Sequence, residues 1–208
     1  MLTPVPLTPV PLAPEIRLHL AAEGRGLFDA DGGEFHSDRP PPFWAFAWAG
    51  GQALARYLLD HPATVTGRRV LDLATGSGLA AIAAARAGAA EVAAEDVDPE
   101  AAAAAQRNAA ANGVTLSDTV TAPDVVLAGD AFYTERVAAE MTTRLRQARH
   151  AGARVLVGEP GRGYFRERLF DRLAEYAVPV PRSLEGTETL VTAVWEMRNT
   201  MRSSTNKL

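Results

Sequence analysis

The sequence predicts an α/β fold built on a mostly parallel β-sheet. From Arg69 onward, short apolar segments alternate with longer segments of helical periodicity, a pattern typical of parallel strands joined by crossover helices. One apolar strand runs directly into a glycine-containing turn, VLDLATGSG at 70–78. Near the C-terminus, two strand patterns follow each other with no helix between them, which predicts a hairpin at the end of the sheet.

The predicted elements follow in a regular order along the chain. Strands are predicted at 70–73, 91–95, 114–117, 125–128, 154–157, 178–184 and 189–195. Helices are predicted at 15–22, 51–59, 79–87, 99–111, 134–148 and 164–176. The strand at 114–117 is the weakest of these patterns.

Length and composition narrow the classes of protein. The 208 residues suit one domain. The absence of cysteine excludes disulfides, thiolate catalysis and cysteine–zinc sites. A net charge of −4 argues against a nucleic-acid partner and favours a basic protein segment. No secretory signal or membrane span is expected, so we expect a cytoplasmic protein with no membrane partner. The four histidines lack ligand spacing, and no metal is expected.

The chain is predicted to contain one domain with two short terminal segments. Residues 1–14 form an arm with five prolines and the repeated sequence LTPVP. Residues 15–200 form the domain and residues 201–208 a tail. Proline removes backbone donors and favours extended chain. The arm is therefore either a disordered tail or a segment lying on the domain.

The turn at 70–78 has the character of a ligand-binding loop. Gly76 and Gly78 allow a sharp turn and a close backbone approach. Asp72 lies near the carboxyl end of its strand, where open α/β sheets bind ligands. With Ala81, the two glycines also satisfy the pattern of dinucleotide sites. Two alternatives for this turn are a site for a nicotinamide or flavin cofactor and a plain turn without a ligand.

A second group of acids follows the next strand. Asp96 at the end of this strand can accept hydrogen bonds from a ribose diol. Glu95 and Asp98 compete for that role, although Asp98 before Pro99 is a natural helix cap. S-Adenosylmethionine carries an ammonium group and no phosphate, and Asp72 suits that ammonium. These acids favour S-adenosylmethionine as the ligand over a dinucleotide.

Seven sequence blocks together resemble a known family. They are PEIRLHL, FWAFAWAGGQALARYLLD, VLDLATGSG, AAEDVDPEA, VVLAGDAFY, VGEPGR and TAVWEM, between Pro14 and Met197. In order and spacing they resemble the seven-strand protein-lysine methyltransferases, and among them the enzymes that methylate the electron transfer flavoprotein beta subunit. The resemblance implies a Rossmann-like class I methyltransferase fold. Its mostly parallel seven-stranded sheet has an antiparallel C-terminal strand and helices on both faces.

The resemblance also implies the residues of the site. Asp130 and Tyr133 match an acid-x-x-aromatic signature that lines the acceptor-lysine channel. A carboxylate there can orient the amine, whose free pKa is about 10.4. The alternative for Asp130 is the N-cap of the helix that begins near Thr134. The residues expected to contact the methyl donor are Trp48, Asp72, Ala74, Thr75, Gly76, Ser77, Gly78, Asp96 and Val97.

Some positions depart from the family or stay open. Ala74 replaces the first glycine of the family's donor loop, and Ala49 stands where proline is often found. Asp118 is the one obvious candidate for the adenine contact. The aromatic residues of 43–48 are either core or site. Glu159 and Arg162 either contact substrate or pair with each other.

Three functions remain to be compared. The first is methylation of lysine in a protein, either the electron transfer flavoprotein beta subunit or a ribosomal protein. The second is N-methylation of a small molecule. The third is a binding module that retains the fold without catalysis, which the glycine turn and Asp96 argue against.

Overall fold

The computed structural model of the protein describes residues 6–21 and 42–199. The strands are β1 Leu7–Pro9, β2 Arg17–His19, β3 Arg69–Leu73, β4 Glu91–Glu95, β5 Val125–Gly129, β6 Arg154–Glu159, β7 Phe170–Pro179 and β8 Thr189–Met197. The helices are α1 Ala49–Asp60, α2 Leu79–Arg86, α3 Pro99–Ala111, α4 Glu135–His150 and the short α5 Arg182–Glu185. Four predicted helices, at 51–59, 79–87, 99–111 and 134–148, correspond to α1–α4.

The main sheet has six strands in the order β4-β3-β5-β6-β8-β7. Strands β4, β3, β5 and β6 pair in parallel, and β8 runs antiparallel to both β6 and β7. The prediction of a mostly parallel sheet with an antiparallel C-terminal strand is therefore confirmed, but the predicted number of seven strands is wrong, since six are present among the described residues. The predicted strand at 114–117 is reduced to one parallel bridge between Ser117 and Ala93. Only two of its four residues are apolar, which leaves too little to pack as an edge strand.

Two predicted helices are wrong because strand pairing takes their place. The segment predicted as a helix at 164–176 instead enters β7, which pairs with β8 along almost its whole length. The segment predicted as a helix at 15–22 contains β2, where buried Ile16 and Leu18 alternate with exposed Glu15 and Arg17. A period of two is the pattern of a strand. The C-terminal hairpin is present, but its first strand lies earlier than predicted, and α5 occupies part of 178–184.

Apolar residues cover both faces of the sheet. On one face, α1, α2 and α3 pack against inward side chains such as Val125 and Leu156. On the other, Met141 and Leu145 of α4 pack against Val155 and its neighbours. Successive strand residues point to opposite faces, which explains why continuous apolar strands serve both layers. Within the described residues, each helix is too short or too polar to cross a bilayer.

The described part of the proline-rich arm lies on the domain. Val10, Ala13, Ile16 and Leu18 are buried in the core that α1 and α3 share. Asn108 of α3 and Asn112, the C-cap of that helix, bind the backbone of β2. The N–H of His19 donates to Asn108 Oδ1 at 2.8 Å, and that of Arg17 donates to Asn112 Oδ1 at 3.0 Å. Residues 1–5 of the predicted arm and the predicted tail 201–208 lie outside the described residues.

Candidate active site

The predicted site residues meet at one edge of the sheet. Strands β3, β4, β5 and β6 are parallel, so their carboxyl ends lie side by side. The chain passes from β4 back across β3 to reach β5, which creates the change of direction where open sheets bind ligands. Asp72, Asp96, Asp130 and Glu159 all lie at this edge.

The turn between β3 and α2 has a left-handed backbone at both glycines. Gly76 has φ 53° and Gly78 has φ 84°. A Cβ on Gly78 would lie 2.9 Å from the backbone of Ala105 in α3, which is closer than real Cβ atoms approach. The N–H of Thr75 donates to Glu95 O at 3.1 Å and ties the turn to β4. The predicted need for glycine at these two positions is explained by conformation and by close packing.

Ala74 also adopts a left-handed backbone, with φ 53°. The Cβ of an L-residue clashes with its own backbone in this region, at a cost of about 1–2 kcal/mol. Ala74 thus occupies a conformation that suits the glycine found there in the resembled family. The strain is local to the turn that carries Gly76 and Gly78.

Replacing Ala74 by glycine is expected to raise the free energy of unfolding by about 0.5–1 kcal/mol. The free energy gained by relieving the left-handed strain exceeds the entropic cost of folding a chain with glycine at this position. Urea denaturation measures the change. Ala85→Gly in α2 is the control with opposite sign, because glycine in a helix costs about 1 kcal/mol. A lower midpoint for Ala74→Gly would contradict the strain.

Asp72 is buried, with 1% of its surface exposed. Its Oδ2 accepts hydrogen bonds from Thr75 Oγ1 at 2.6 Å and from the N–H of Ala81 at 3.2 Å. Burial raises the pKa of this carboxyl to about 7, the two hydrogen bonds oppose the rise, and the nearby charge of Asp96 adds to it. Asp72 therefore links strand, turn and helix while placing a carboxyl beneath the turn.

Of Glu95, Asp96 and Asp98, only Asp96 is seen to bond the glycine turn through its side chain among the described residues. Its Oδ2 accepts from the N–H of Gly76 at 2.9 Å, and its Oδ1 accepts from the N–H of Asp98 at 3.0 Å. Asp98 accepts from the N–H of Glu100 at 2.9 Å and is the N-cap of α3, as its alternative reading predicted. Glu95 forms an ion pair with Arg144 at 2.6 Å.

Asp130 is held by two neighbours at the end of β5. It is 9% exposed and has a left-handed backbone with φ 52°, a region that aspartate enters more readily than most residues. Its Oδ1 accepts from Arg162 Nη2 at 2.8 Å and Nε at 3.0 Å, and its Oδ2 accepts from the N–H of Gly50. Burial raises the pKa of Asp130, and the charge of Arg162 opposes that rise.

The alternative reading of Asp130 as a helix cap is wrong. The N-cap of α4 is Thr134, whose hydroxyl accepts from the N–H of Val137 at 3.3 Å. Asp130 lies four residues earlier and bonds to the first turn of α1 and to the loop after β6. Its side chain therefore joins separate elements at the site edge.

Arg162 bridges the end of β5 and the segment that joins β7 to β8. Beside its bonds to Asp130, the guanidinium donates to Glu185 of α5 at 2.6 and 2.9 Å. It also lies 5.8 Å from the centre of the Trp48 ring, within cation–π range. Of the two alternatives for Glu159 and Arg162, pairing with each other is present, because the Glu159 carboxylate accepts from the backbone N–H of Arg162. Nothing in the sequence pointed to Glu185.

The aromatic segment at 43–48 is partly core and partly site. Phe46 is buried, whereas Phe43 is exposed and lies 6.1 Å from the rings of both Trp48 and Tyr133. Trp48 Nε1 donates to Phe43 O at 2.7 Å. Tyr133 is 52% exposed. These rings form an open aromatic wall beside Asp130.

Two further predicted residues are exposed. Val97, directly after Asp96, is 98% exposed. Asp118 is exposed and follows the single bridge at Ser117. The structure brings neither of them into the bonded network around the turn, and their roles stay predictions.

A close backbone contact sets the distance between α1 and the sheet. A Cβ on Gly50 would lie 2.7 Å from both the N and the Oδ2 of Asp130, and closer still to Gly158 O. A Cβ on Gly129 would lie 2.9 Å from the N of Gly51. The paired glycines at 50–51, at the start of a helical pattern, are a sequence signal for such a close approach.

Comparisons with known proteins agree with this geometry. A family model described as ribosomal protein L11 methyltransferase (PrmA) matches residues 53–139. The ribosomal protein L11 methylase of Lactobacillus delbrueckii subsp. bulgaricus has a TM-score of 0.54 at 20% identity, covering 91% of this chain and 98% of that one. At this identity the likeness concerns the fold, and it confirms the class I methyltransferase architecture.

Curated relatives carry the more specific likeness. The electron transfer flavoprotein beta subunit lysine methyltransferase of Mus musculus is 40% identical over 170 residues, which are 74% of this chain and 66% of the mouse protein. The Xenopus laevis protein of the same name is 36% identical over 208 residues, which are 90% of this chain and 81% of the frog protein. The chain thus spans about two thirds of the mouse relative and more of the frog one. On this identity and coverage, the chain belongs to the electron transfer flavoprotein beta subunit lysine methyltransferase family.

Proposed function

We propose that the protein transfers a methyl group from S-adenosylmethionine to lysine side chains of a protein. The electron transfer flavoprotein beta subunit is the first substrate to test, because the relatives in the family are named for it. One observation carries the proposal. The glycine turn with Asp72 and Asp96 lies at the same sheet edge as Asp130 and the aromatic wall.

The residues around the turn suit the methyl donor. Asp96 lies against the turn and presents carboxylate oxygens for a ribose diol. The buried carboxyl of Asp72 suits an ammonium group, and the exposed side chain of Val97 offers apolar surface for a base. The donor would supply an electrophilic methyl group on a sulfonium. The chain would supply alignment, which is the main source of rate in such a transfer.

The acceptor side suits the end of a lysine chain. Asp130 can hold an amine by hydrogen bonding. Tyr133 and Trp48 can line the apolar stem of the side chain, since both carry exposed ring surface. A protein partner also agrees with the acidic charge of the chain. A cytoplasmic location and the absence of nucleic-acid and membrane partners belong to the same proposal and remain to be tested.

A ribosomal protein is the second candidate substrate. The matching family model over residues 53–139 is described as ribosomal protein L11 methyltransferase. That segment contains the glycine turn and Asp96, and also Asp130 and Tyr133 of the acceptor side, but it stops short of Glu159, Arg162 and Glu185. The match therefore supports the methyl donor more strongly than the substrate, because it includes only part of the acceptor side.

The decisive experiment supplies labelled S-adenosylmethionine with separate acceptors. The purified electron transfer flavoprotein, purified ribosomal protein L11 and a small primary amine are incubated in parallel, and mass spectrometry locates the methyl groups. Labelled lysine on the flavoprotein beta subunit supports the proposal. Methylation of the small amine alone would favour a small-molecule enzyme. Tight binding of NADH in place of the donor would contradict the proposal altogether.

Asp96→Ala is expected to weaken binding of S-adenosylmethionine by at least tenfold. The change removes charge-assisted hydrogen bonds worth roughly 1.5–3 kcal/mol each, and it also releases the N–H of Gly76. Isothermal titration calorimetry measures the affinity. Asp98→Ala is the matched control, because loss of this N-cap lowers stability by about 1 kcal/mol and leaves donor affinity close to wild type. Equal affinities for wild type and Asp96→Ala would rule out the ribose role.

A further inference from the structure

Glu159 ends β6 beside Asp130 with one oxygen unpaired. Only 2% of its surface is exposed. Its Oε1 accepts from the N–H groups of Gly161 at 3.0 Å and of Arg162. Its Oε2 is buried and has no hydrogen-bond partner among the described residues. A buried acceptor without a donor is costly and uncommon, so this oxygen points to a group that arrives later.

The charges around Glu159 compensate its carboxylate only in part. Arg162, in the loop after β6, uses its guanidinium on Asp130 and Glu185. Asp130 follows β5, Glu185 lies on α5, and α1 places the backbone of Gly50 at this point. Three carboxyl groups thus surround one guanidinium. A cationic group entering the cluster would balance its charge.

Glu159 changes its protonation state near neutral pH. Burial raises the pKa of this carboxyl to about 7, and the charge of Asp130 adds to the rise. The hydrogen bonds from Arg162 and Gly161, and the charge of Arg162, act in the opposite direction. A carboxyl that titrates near the working pH is suited to exchange a proton with substrate.

We propose that Glu159 accepts the proton that the acceptor lysine must lose, with Oε2 as the receiving atom. The inference rests on the proposed lysine methylation. One N–H bond of the ammonium breaks, and its proton converts the Glu159 carboxylate to a neutral acid. The freed lone pair of nitrogen forms the N–C bond to the methyl group. The S–C bond breaks with its electron pair left on sulfur, and Glu159 returns its proton to water after product leaves.

The pH profile of the wild-type enzyme is the first test. Its kcat/KM on the protein substrate is expected to rise with pH and to level off above an inflection near pH 7, where Glu159 ionises. Glu159→Gln keeps an oxygen for the N–H groups of Gly161 and Arg162 but cannot take up the proton. At pH 7 its rate is expected to fall roughly 100-fold or more, and the inflection is lost. The deficit then shrinks about tenfold per pH unit towards pH ~10.4, where lysine itself deprotonates.

Glu185→Gln is the matched control. Glu185 also contacts Arg162. Its replacement by glutamine removes the same amount of charge from the cluster but leaves Glu159 in place. We expect it to retain the inflection near pH 7. A Glu159→Gln enzyme with the wild-type profile would overturn the proposal. So would a loss of rate by the same factor at every pH, because that result indicates a structural role only.

Thermal unfolding without substrate provides a second readout. A raised carboxyl pKa contributes stability that is complete below the ordinary value of 4.5 and is lost as pH rises through about 7. Glu159→Gln does not lose stability in this way. The midpoint temperature of the variant should therefore rise relative to that of wild type between pH 4.5 and 8. If the variant does not fold, the wild-type profile decides. Lysine methylation without the inflection refutes the role of Glu159 alone, whereas no lysine methylation at any pH refutes the proposed function.

Discussion

Replacing Asp130 by alanine is expected to lower methylation of the protein substrate roughly 100-fold or more, with donor affinity nearly unchanged. The carboxylate is expected to align the acceptor amine, and loss of alignment at one group has effects of this size. Arg162 and the N–H of Gly50 also lose their partner. Breaking a buried ion pair costs about 3–5 kcal/mol, and we expect the lower end because Arg162 keeps Glu185. Activity must therefore be normalised to folded protein.

Two further variants separate alignment from stability. Asp130→Asn retains one acceptor oxygen, which can serve Arg162 or the N–H of Gly50 but not both, and it carries no charge, so it should fold better than the alanine variant and remain slow. Thr134→Ala removes the true cap of α4 and should cost about 1 kcal/mol in stability with normal turnover. Normal turnover by folded Asp130→Ala would exclude this residue from the acceptor site.

Gly50→Ala is expected to cost at least about 3 kcal/mol in stability, the upper end for overpacking. The added methyl would lie 2.7 Å from Asp130 N, and closer to Gly158 O. Both are backbone atoms of the sheet edge, which cannot move aside as a flexible side chain can. The remaining folded protein should also lose activity, because α1 can relieve the clash only by moving away from Asp130.

Gly51→Ala is the matched control one residue further along the same helix. Its methyl would make an ordinary contact with Leu79 Cδ2 at 3.8 Å. Alanine is favoured over glycine in a helix by about 1 kcal/mol, so this variant should be slightly more stable than wild type. Chemical denaturation of both variants measures the difference. Similar midpoints for the two would show that the contact between α1 and β6 is not tight.

The sequence predicts the βα core of the fold well and its two ends poorly. The helix from Pro99 to Ala111 has a proline at its first position and an aspartate before it, and both of its ends match the prediction. The prediction of a helix at 164–176 is wrong because the short apolar pattern around Tyr176 fits a helix and a strand alike. Only pairing with β8, formed by residues that come later in the chain, decides between them. Long-range partners of this kind leave no local signal.

The same contrast applies to the site. Asp72, Asp96 and the glycine turn were found because their spacing is set by one strand, one turn and one helix. Asp130 was found from a resemblance. The link from Arg162 to Glu185 was missed, because the two residues are 23 positions apart and meet through the connection between β7 and β8. The unpaired oxygen of Glu159 is a property of packing, which only coordinates reveal.

The arm at the start of the chain has a consequence for biosynthesis. Its strand β2 is held by Asn108 and Asn112, which are 89 and 95 residues further along the chain than their partners. At a synthesis rate of about 5–20 residues per second, roughly 4–18 s pass between the synthesis of β2 and the synthesis of these asparagines. During that time Ile16 and Leu18, which are fully buried in the native protein, are exposed on the nascent chain. This segment therefore leaves the ribosome before the residues that hold it in the native protein, and its apolar side chains are a natural target for nascent-chain chaperones.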